Sequence, residues 1–502
     1  MRRNRATKSS FGEIVGGWIF GSTVSQRIAR IYILIILAGF GALNLPWVKT
    51  TNGQNGSDNW FSKLFTSVSA VTTTGLLSGS SLNCSFNFAG QLIVLILIQI
   101  GGLGLVTIWT ILKQTFLKNK KYSIEDRINI HSERGGVIQG SSYVVTKSAL
   151  ITLLWIELFV ASSLTFFFYF VDTNSDSQKT NLKGNFLSSF WAGIFHSISA
   201  INNAGLDTLD KTSISSYSRG WGVVLSIVFA ACSMVGGIGY SALYEIKEWL
   251  HRKRNREKTK NILSLFTKIS ILMYLSITLL AGGGVVLTEL LANGAQTTSN
   301  GACSDNCTKL KKSEKIWQWI YLVISSRSAG FYGIDPKCLH EKSQWILLIL
   351  MFIGASPAST AGGIRSITLF LMMGKIWTTM RGRRTLSIFS RSVEDQTIDN
   401  SYMVFFVSSA LITLCSLGIT HSEAGQGKGG FSHASLFEAS SAFGTAGLSL
   451  GVSSKTTWVG HILLMFLMFI GQLGVPNSLV YYNKPRAARQ NFSYPEEKLR
   501  IA

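Results

Sequence analysis

Eight long apolar blocks constrain this chain more than any other feature of its sequence. Each has about twenty residues or more, the length that a helix needs to cross the hydrocarbon core of a bilayer. They run over 28–48, 88–112, 147–171, 220–246, 266–292, 343–377, 402–420 and 457–482, and the sixth is interrupted. Charged residues make up only 14% of the 502 residues, about half their share in soluble domains. The sequence therefore predicts an all-α membrane protein with eight spans.

Basic residues lie mainly between and beyond these blocks. The chain has 47 Lys and Arg against 25 Asp and Glu, a formal net charge of +22. The clusters flank the predicted spans, so the positive-inside rule places them in the cytoplasm together with both termini. This topology and contact with anionic membrane lipid account for the excess charge. We expect a multi-pass protein of the cell membrane with no nucleic-acid partner.

Four further segments are amphipathic but too short to cross a bilayer. They cover about 57–78, 185–208, 313–333 and 432–450, and each ends in a turn that contains glycine. Re-entrant half-helices of this kind are tolerated in a membrane only where they are buried in protein or line water. Each segment lies between two apolar blocks, which predicts a pattern of helix, half-helix and helix.

The turns recur at matched spacing. The turn glycines are Gly75, Gly205, Gly330 and Gly447, and a second glycine motif follows each at Gly101, Gly236, Gly354 and Gly471. Four copies in one orientation imply an axis along the membrane normal. The predicted divisions are a basic cytoplasmic tail at 1–27, repeat 1 at 28–117, a basic cytoplasmic loop at 118–145, repeat 2 at 146–248, a basic cytoplasmic loop at 249–261, repeat 3 at 262–380, a cytoplasmic loop at 381–399, repeat 4 at 400–483 and a cytoplasmic tail at 484–502.

Four equivalent turns around one axis enclose a central path. Glycine lets a backbone approach a ligand closely, and carbonyl oxygens from four turns can surround a partly dehydrated cation. The half-helices would direct their negative C-terminal ends at it. Side-chain oxygens of Thr72, Thr73, Thr74, Asn202, Asn203, Ser328 and Thr445 add to this set. Without a ring of carboxylates, the chemistry indicates a monovalent cation. The alternative is that the glycines serve helix packing, which we favour only for the second motifs.

These residues resemble the pore-forming subunits of the Trk/Ktr/HKT superfamily of potassium transporters. The resemblance covers about 28–483 and is clearest at the stretch that begins at Ile353 and ends at Arg365. It implies four membrane-pore-membrane repeats, potassium uptake, a homodimer and a cytosolic nucleotide-binding regulatory subunit. The selectivity filter that it implies comprises Thr72, Thr73, Thr74, Gly75, Asn202, Asn203, Ala204, Gly205, Arg327, Ser328, Ala329, Gly330, Gly444, Thr445, Ala446 and Gly447. Potassium ligands are expected at Thr74, Gly75, Asn203, Gly205, Ser328, Gly330, Thr445 and Gly447.

The stretch 353–365 also has a physical reason to be a loop inside the membrane. Its glycines and proline break a helix, and irregular backbone at that depth must line a cavity. We expect it to be a gate beneath the filter, the alternative being a kinked helix. Where the family usually has an arginine in the last helix, this chain has Gln472, and Arg365 is a candidate substitute. The gate residues are Gly354, Ser356, Pro357, Ser359, Thr360, Gly362, Gly363, Arg365 and Gln472.

A few polar residues have competing interpretations. Arg327 is expected to face away from the path and to pair with a neighbour, for which Glu438 is a candidate; the alternative is a direct role in conduction. Glu157 is an acid within a span, which is a functional hypothesis by default. Asp207 and Asp335 either concentrate cations at the outer mouth or belong to ordinary solvated loops. Cys303 and Cys307 have a spacing that permits a disulfide, which the sequence does not settle.

Two other functions compete with a potassium pore. One is a sodium-permeable or ion-coupled cation symporter, although such transporters usually have inverted repeats and a central acid. The other is a membrane enzyme, for which we find no catalytic motif. We therefore expect no enzyme activity and no covalent cofactor, with potassium as the transported ion.

Overall fold

The computed structural model describes residues 24–48, 59–79, 81–104, 142–171, 182–209, 213–255, 263–292, 310–357, 359–383, 385–388, 391–424 and 432–475. The predicted C-terminal tail at 484–502, Cys303 and Cys307 lie outside these residues, as do most of the basic segments. Cys338, which is described, is disulfide-bonded. The described chain is mostly helical, as the sequence predicts. Its one sheet is a two-stranded antiparallel hairpin of β1 (Ser387–Ile388) and β2 (Arg391–Ser392).

In the part of the chain that the structure describes, four long helices are apolar enough to cross a membrane. They are α1 (Val24–Leu43), α5 (Ser142–Phe170), α9 (Leu265–Leu291) and α13 (Asp395–Ala424), with 20, 29, 27 and 30 residues. Their large apolar side chains are exposed on one side, as with Phe159 (71% exposed) and Leu280 (78%). A soluble protein rarely exposes so much apolar surface. These faces suit contact with lipid.

Each long helix is followed by a shorter helix whose C-terminal part is buried. These are α2 (Trp60–Val71), α6 (Phe186–Ile201), α10 (Lys312–Ser325) and α14 (His433–Gly444), of 12 to 16 residues. At 1.5 Å per residue they are about 18–24 Å long, less than the hydrocarbon thickness of about 30 Å. A four-residue helix, α3 (Leu82–Ser85), follows the first turn. The helices α2, α6, α10 and α14 match the half-helices predicted from the sequence.

In three repeats the second helix ends just before a glycine. It is α4 (Phe88–Leu103), α7 (Gly222–Ile238) or α15 (Trp458–Leu473), and Gly104, Gly239 and Gly474 follow with φ of +81°, +94° and +83°. The apolar block 220–246, predicted as one span, instead bends by 101° into α8 (Tyr240–Arg254). The positive φ of Gly239 is the physical reason, because it ends the α-helical backbone.

In the third repeat the second element is broken, as predicted. Helix α11 (Glu341–Phe352) ends before the glycine-rich stretch 353–365, and α12 (Ser366–Met380) resumes after it. Length and composition identify four spans among the described residues, or five if α7 and α8 are counted as one bent span. By this criterion the described part of the chain has fewer than the eight spans that the sequence predicts. The reason is that the second helices of the repeats are too short to be counted as spans.

The repeats pack in a closed cycle. Half-helices α2, α6 and α14 pack between the two helices of their own repeat, whereas α10 packs against α9 of its own repeat. All four also pack against the second helix of the preceding repeat. These contacts between repeats join α4 to α6, α7 to α10, α11 to α14 and α15 to α2. A single core cluster includes Phe65 and Ile98 of the first repeat with Phe443 and Leu464 of the last. The last contact therefore closes the cycle and brings the four turns around a common centre.

Candidate functional site

The four turns after the half-helices share one unusual backbone conformation. Their glycines have positive φ, a region open to glycine and strained for most other residues. The values are +87° at Gly75, +66° at Gly205, +75° at Gly330 and +78° at Gly447. Two residues earlier, the backbone is also left-handed at Thr73, Asn203 and Thr445, with φ of +50°, +55° and +48°. The third turn differs, because Ser328 has φ of +155°.

These glycines form a ring. A Cβ added to Gly205 would lie 2.7 Å from the carbonyl oxygen of Ala329, and one added to Gly330 would lie 2.9 Å from that of Ala446. In every case the facing carbonyl belongs to the residue before the next repeat's glycine. The other two contacts follow the same rule: Gly75 faces Ala204 and Gly447 faces Thr74. Four backbones therefore approach one another in cyclic order, with no room for side chains at the glycines.

Above the ring lies a cavity of ≈210 Å³ that is lined by all four glycines. Tyr332, Asp207, Asp335 and Lys337 also line it. Burial raises the pKa of Asp335, while a hydrogen bond from the Lys337 N–H (3.0 Å) and the positive charge of that residue oppose the shift. Burial also raises the pKa of Tyr332, helped by the charges of Asp335 and Asp207. The cavity thus holds two carboxylates and one ammonium beside the ring.

The opposite side of the ring contacts the stretch 353–365, which we term the intramembrane loop. The Thr73 hydroxyl donates to the carbonyl oxygen of Thr360 (3.3 Å), and Asn203 Nδ2 donates to Thr360 Oγ1 (2.9 Å). The Gly362 N–H donates to Thr445 Oγ1 (2.8 Å). Side chains predicted as ion ligands at these three positions therefore bond the loop. Within the loop, the following predicted gate residues are buried: Ser356, Ser359, Thr360, Gly362 and Gly363.

Backbone hydrogen bonds also hold the loop against the second glycine motifs. The Ser356 N–H donates to the Gly237 carbonyl (3.1 Å), and the Gly363 N–H donates to the Gly471 carbonyl (3.3 Å). A Cβ added to Gly101, Gly236 or Gly471 would collide with the carbonyl of Val71, Ile201 or Phe443, each four residues before a ring glycine. The second motifs thus serve close packing, as the sequence favoured. In the third repeat, Gly354 packs against Gly362 within the loop.

Arg327 is buried (1% exposed) and does not pair with Glu438, so that prediction is wrong. Its guanidinium donates to the carbonyl oxygens of Gly354 (2.6 Å) and Tyr274 (3.0 Å), and lies 4.4 Å from the centre of the Tyr274 ring. Glu438 Oε1 instead accepts bonds from the loop after its own turn, at Ser449 Oγ (2.5 Å) and the Val452 N–H (3.0 Å). Backbone carbonyls accept hydrogen bonds from the arginine where a carboxylate was expected.

Gln472, which stands where the family usually has an arginine, and Arg365, the candidate substitute, differ in their surroundings. Arg365 donates to the Ala361 carbonyl within the intramembrane loop and lies 3.5 Å from Ser359 Oγ. Gln472 is buried (7% exposed), and its Oε1 has no hydrogen-bond partner among the described residues. Arg365 therefore links the end of the loop to residues earlier in the same loop. Gln472 follows Gly471, whose carbonyl contacts the loop.

A buried polar cluster behind the second turn was only partly foreseen. Glu157 on α5 accepts bonds from Gln99 Nε2 (3.0 Å to Oε2) and Asn202 Nδ2 (3.1 Å to Oε1). Asn202 Nδ2 also lies 2.9 Å from Gln99 Oε1. The sequence singled out Glu157 and Asn202 separately and missed Gln99. The signal that was available is a glutamine inside the apolar run Ile98–Ile100.

Comparison with known proteins places this architecture in a family. Residues 33–493 match the family TrkH, described as a cation transport protein. The chain belongs to the TrkH family. This confirms the resemblance drawn from the turns, and the TrkH-family relatives described below are transporters rather than enzymes.

Two curated relatives of this TrkH-family chain extend over almost its whole length. An uncharacterized cation transporter of Mycoplasma pneumoniae is 31% identical, covering 96% of this chain and 97% of that protein. The Ktr system potassium uptake protein D of Bacillus subtilis is 29% identical, covering 95% and 97%. The crystal structure of the potassium transporter TrkH from Vibrio parahaemolyticus matches with a TM-score of 0.66 at 15% identity, covering 96% of this chain and 87% of that one. The fold is therefore that of TrkH.

Proposed function

We propose that this protein takes up potassium across the cell membrane through a gated pore whose narrowest part is the ring of four glycines. The observation that carries the proposal is the cyclic order in which each glycine faces the carbonyl before the next glycine. Such an order places backbone carbonyls from all four repeats around one axis. Curated relatives that cover nearly the whole chain include a potassium uptake protein, which supports the choice of ion.

Neutral backbone oxygens suit a monovalent cation. A ring of carbonyls replaces part of the ion's hydration shell, and each half-helix adds the negative end of its dipole. The N–H groups of Thr74, Ala204 and Ala446 bond back to their own half-helix five residues earlier, at 2.8–2.9 Å. These bonds fix the turns, so the carbonyls are held in place before an ion arrives. The proposed filter is the set of sixteen residues named from the sequence.

The two acids in the cavity above the ring support the proposal that a cation enters the filter from this side. Asp207 and Asp335 line the space directly above the ring, where a negative potential raises the local concentration of cations. Lys337 lies in the same cavity and reduces that potential. The cavity thus serves as a shallow site from which a cation enters the filter.

The intramembrane loop is the proposed gate. It lies on the opposite side of the ring from the cavity, and its backbone bonds to the second and fourth repeats. A pore blocked there conducts only when the loop moves. Gln472 provides no fixed charge beneath the ring, and Arg365 is engaged within the loop, so the barrier to conduction is the loop itself.

The assembly follows from the resemblance to the Trk and Ktr systems. We propose a homodimer in which each protomer has its own pore, with both termini in the cytoplasm. A cytosolic nucleotide-binding subunit would dock on the basic inner segments and control the loop. Co-purification and mass measurement of the detergent-solubilised protein test the dimer.

The experiment that tests the function is ion flux in proteoliposomes under an imposed membrane potential, with potassium, rubidium and sodium compared. We expect saturable potassium flux that exceeds sodium flux, and Gly330→Ser should lower the potassium-to-sodium ratio. Gly184→Ser is the matched control, because Gly184 also has positive φ (+76°) but its Cβ position is open. Equal sodium flux in the unmodified protein would contradict the potassium assignment, and dependence on a sodium or proton gradient would favour a symporter.

A further inference from the structure

The residues two positions before the ring glycines point away from the outer cavity and toward the intramembrane loop. In three repeats this residue has a left-handed backbone and a polar side chain: Thr73, Asn203 and Thr445. All three are buried, with 0–1% of their surface exposed. Side chains of this kind must find hydrogen-bond partners when buried, because an unsatisfied polar group is costly. Their partners are on the loop.

The three bonds converge on two loop residues. Thr73 donates to the Thr360 carbonyl, and Asn203 donates to the hydroxyl of that same residue. Thr445 accepts from the Gly362 N–H. The first, second and fourth turns are therefore attached to one short piece of loop, 360–362, although they come from distant parts of the chain.

The third turn is attached in a different way. The loop belongs to the third repeat, and Ser328 departs from the left-handed backbone of its counterparts. The neighbouring Arg327 reaches the loop instead and donates to the carbonyl of Gly354, its first glycine, across 2.6 Å. Every turn of the ring thus has one side chain that bonds the loop.

We propose that Thr73, Asn203, Thr445 and Arg327 are positioning residues that latch the intramembrane loop beneath the ring. The inference rests on the proposed role of the loop as a gate. Loop movement then requires these bonds to break, so the latch opposes opening. Because the same turns carry the proposed filter, the loop position and the turn conformation are coupled through these side chains.

Thr→Val substitutions test the latch with little change in shape. Thr73→Val and Thr445→Val each remove one hydroxyl and keep the branched side chain at its left-handed position. Thr66→Val is the matched control, because Thr66 is buried in the first half-helix and its hydroxyl donates to the Ser62 carbonyl of that helix (2.9 Å) rather than to the loop. Two measurements are needed: potassium flux in proteoliposomes, and hydrogen–deuterium exchange of the peptide that contains 353–366.

The latch predicts faster exchange of loop amides in both variants and a rise in basal flux of about threefold to tenfold per lost bond. Thr66→Val should change neither, and the potassium-to-sodium ratio should fall less than in Gly330→Ser. Unchanged exchange, or equal acceleration in Thr66→Val, would overturn the latch. Faster exchange with unchanged flux would overturn its part in gating.

Failure of the proposed function has a different signature. It would be seen as no potassium flux in any of the proteins, including the unmodified one and the variants with faster loop exchange. In that case the exchange result still decides whether the four side chains hold the loop.

Discussion

The Arg327 guanidinium donates a hydrogen bond of 2.6 Å to the carbonyl oxygen of Gly354, joining the third turn of the ring to the intramembrane loop. The arginine is buried and has carbonyl oxygens and an aromatic ring around it rather than a carboxylate. A buried charge is tolerated only when such groups satisfy it. The planar guanidinium reaches two carbonyls at once, which a single ammonium cannot do with the same geometry.

Arg327→Lys should therefore destabilise the protein although the charge is kept. We expect a loss of about 1.5–3 kcal/mol, the range for a hydrogen bond to a charged group, measured by thermal unfolding in detergent. Tyr274→Phe is the control, because the bond uses the Tyr274 backbone carbonyl and phenylalanine keeps the ring. An equal loss of stability in the two variants would contradict the importance of the two-carbonyl contact.

Glu157→Gln should weaken the support of the second turn. The amide keeps one acceptor oxygen, so Gln99 or Asn202 loses a partner in a buried place, which costs about 1–3 kcal/mol. Because Asn202 begins the second turn, we expect a lower potassium-to-sodium flux ratio. Glu289→Gln is the control, because Glu289 accepts bonds from Ser343 Oγ (2.5 Å) and the His340 N–H (2.9 Å) and not from a turn residue of the ring. A ratio that falls equally in the two variants would count against a specific role for Glu157.

Gly236→Ala should disturb the contact between a second motif and its half-helix. The added methyl group would meet the Ile201 carbonyl oxygen, so helix α7 and half-helix α6 must separate. Overpacking of this kind costs about 1–3 kcal/mol, visible as a lower unfolding temperature. Gly283→Ala in α9 adds the same methyl group where no atom lies within 4 Å, and we expect it to be neutral or slightly stabilising. Comparable destabilisation by both would argue against close packing as the role of Gly236.

Potassium entry should depend on external pH through Asp335. Burial raises the pKa of Asp335 above its ordinary value of 3.8, so acidification removes its negative charge at a higher pH than for an exposed aspartate. The cavity then attracts cations less, and inward flux should fall as the external pH is lowered, starting at a higher pH than an exposed aspartate would give. Asp335→Asn should lower flux at neutral pH and abolish this component.

Lys337→Gln gives the complementary test of that pH dependence. Removing the ammonium takes away a positive charge that lowers the pKa of Asp335 but leaves the backbone N–H that bonds its carboxylate. The midpoint of the flux decrease should move to higher pH. A midpoint that stays in place would exclude Lys337 as a determinant of the Asp335 charge.

The turns could be located from sequence because their conformation restricts residue type. Glycine at positive φ recurs at matched spacing, and the second motifs recur where backbone meets backbone, so both leave a pattern in the printed sequence. The interruption at 353–365 was equally visible, since Gly354 and Pro357 break a helix. The bend at Gly239 was not foreseen, because the apolar run continues through it.

Partners of polar side chains were much harder to predict. Arg327 bonds carbonyl oxygens, and a carbonyl is present at every residue, so no sequence signal marks Gly354 as its acceptor. Thr73 and Thr445 resemble ion ligands by residue type, and only their left-handed backbone reveals that the side chains turn toward the loop. Gln99 on α4 bonds Glu157 on α5 and Asn202 in the turn after α6, a relationship that requires the packed structure.

The four turns are encoded separately in one polypeptide rather than once in a subunit that assembles four times. In a ring of identical subunits, a substitution changes every sector together, whereas here it changes one sector and leaves three intact. The third sector already differs, with Arg327 where the others have Thr72, Asn202 and Gly444. Fusion of the repeats thus allows one sector to differ from the rest, so that the third carries the contact between Arg327 and Gly354 while its neighbours keep the shared geometry.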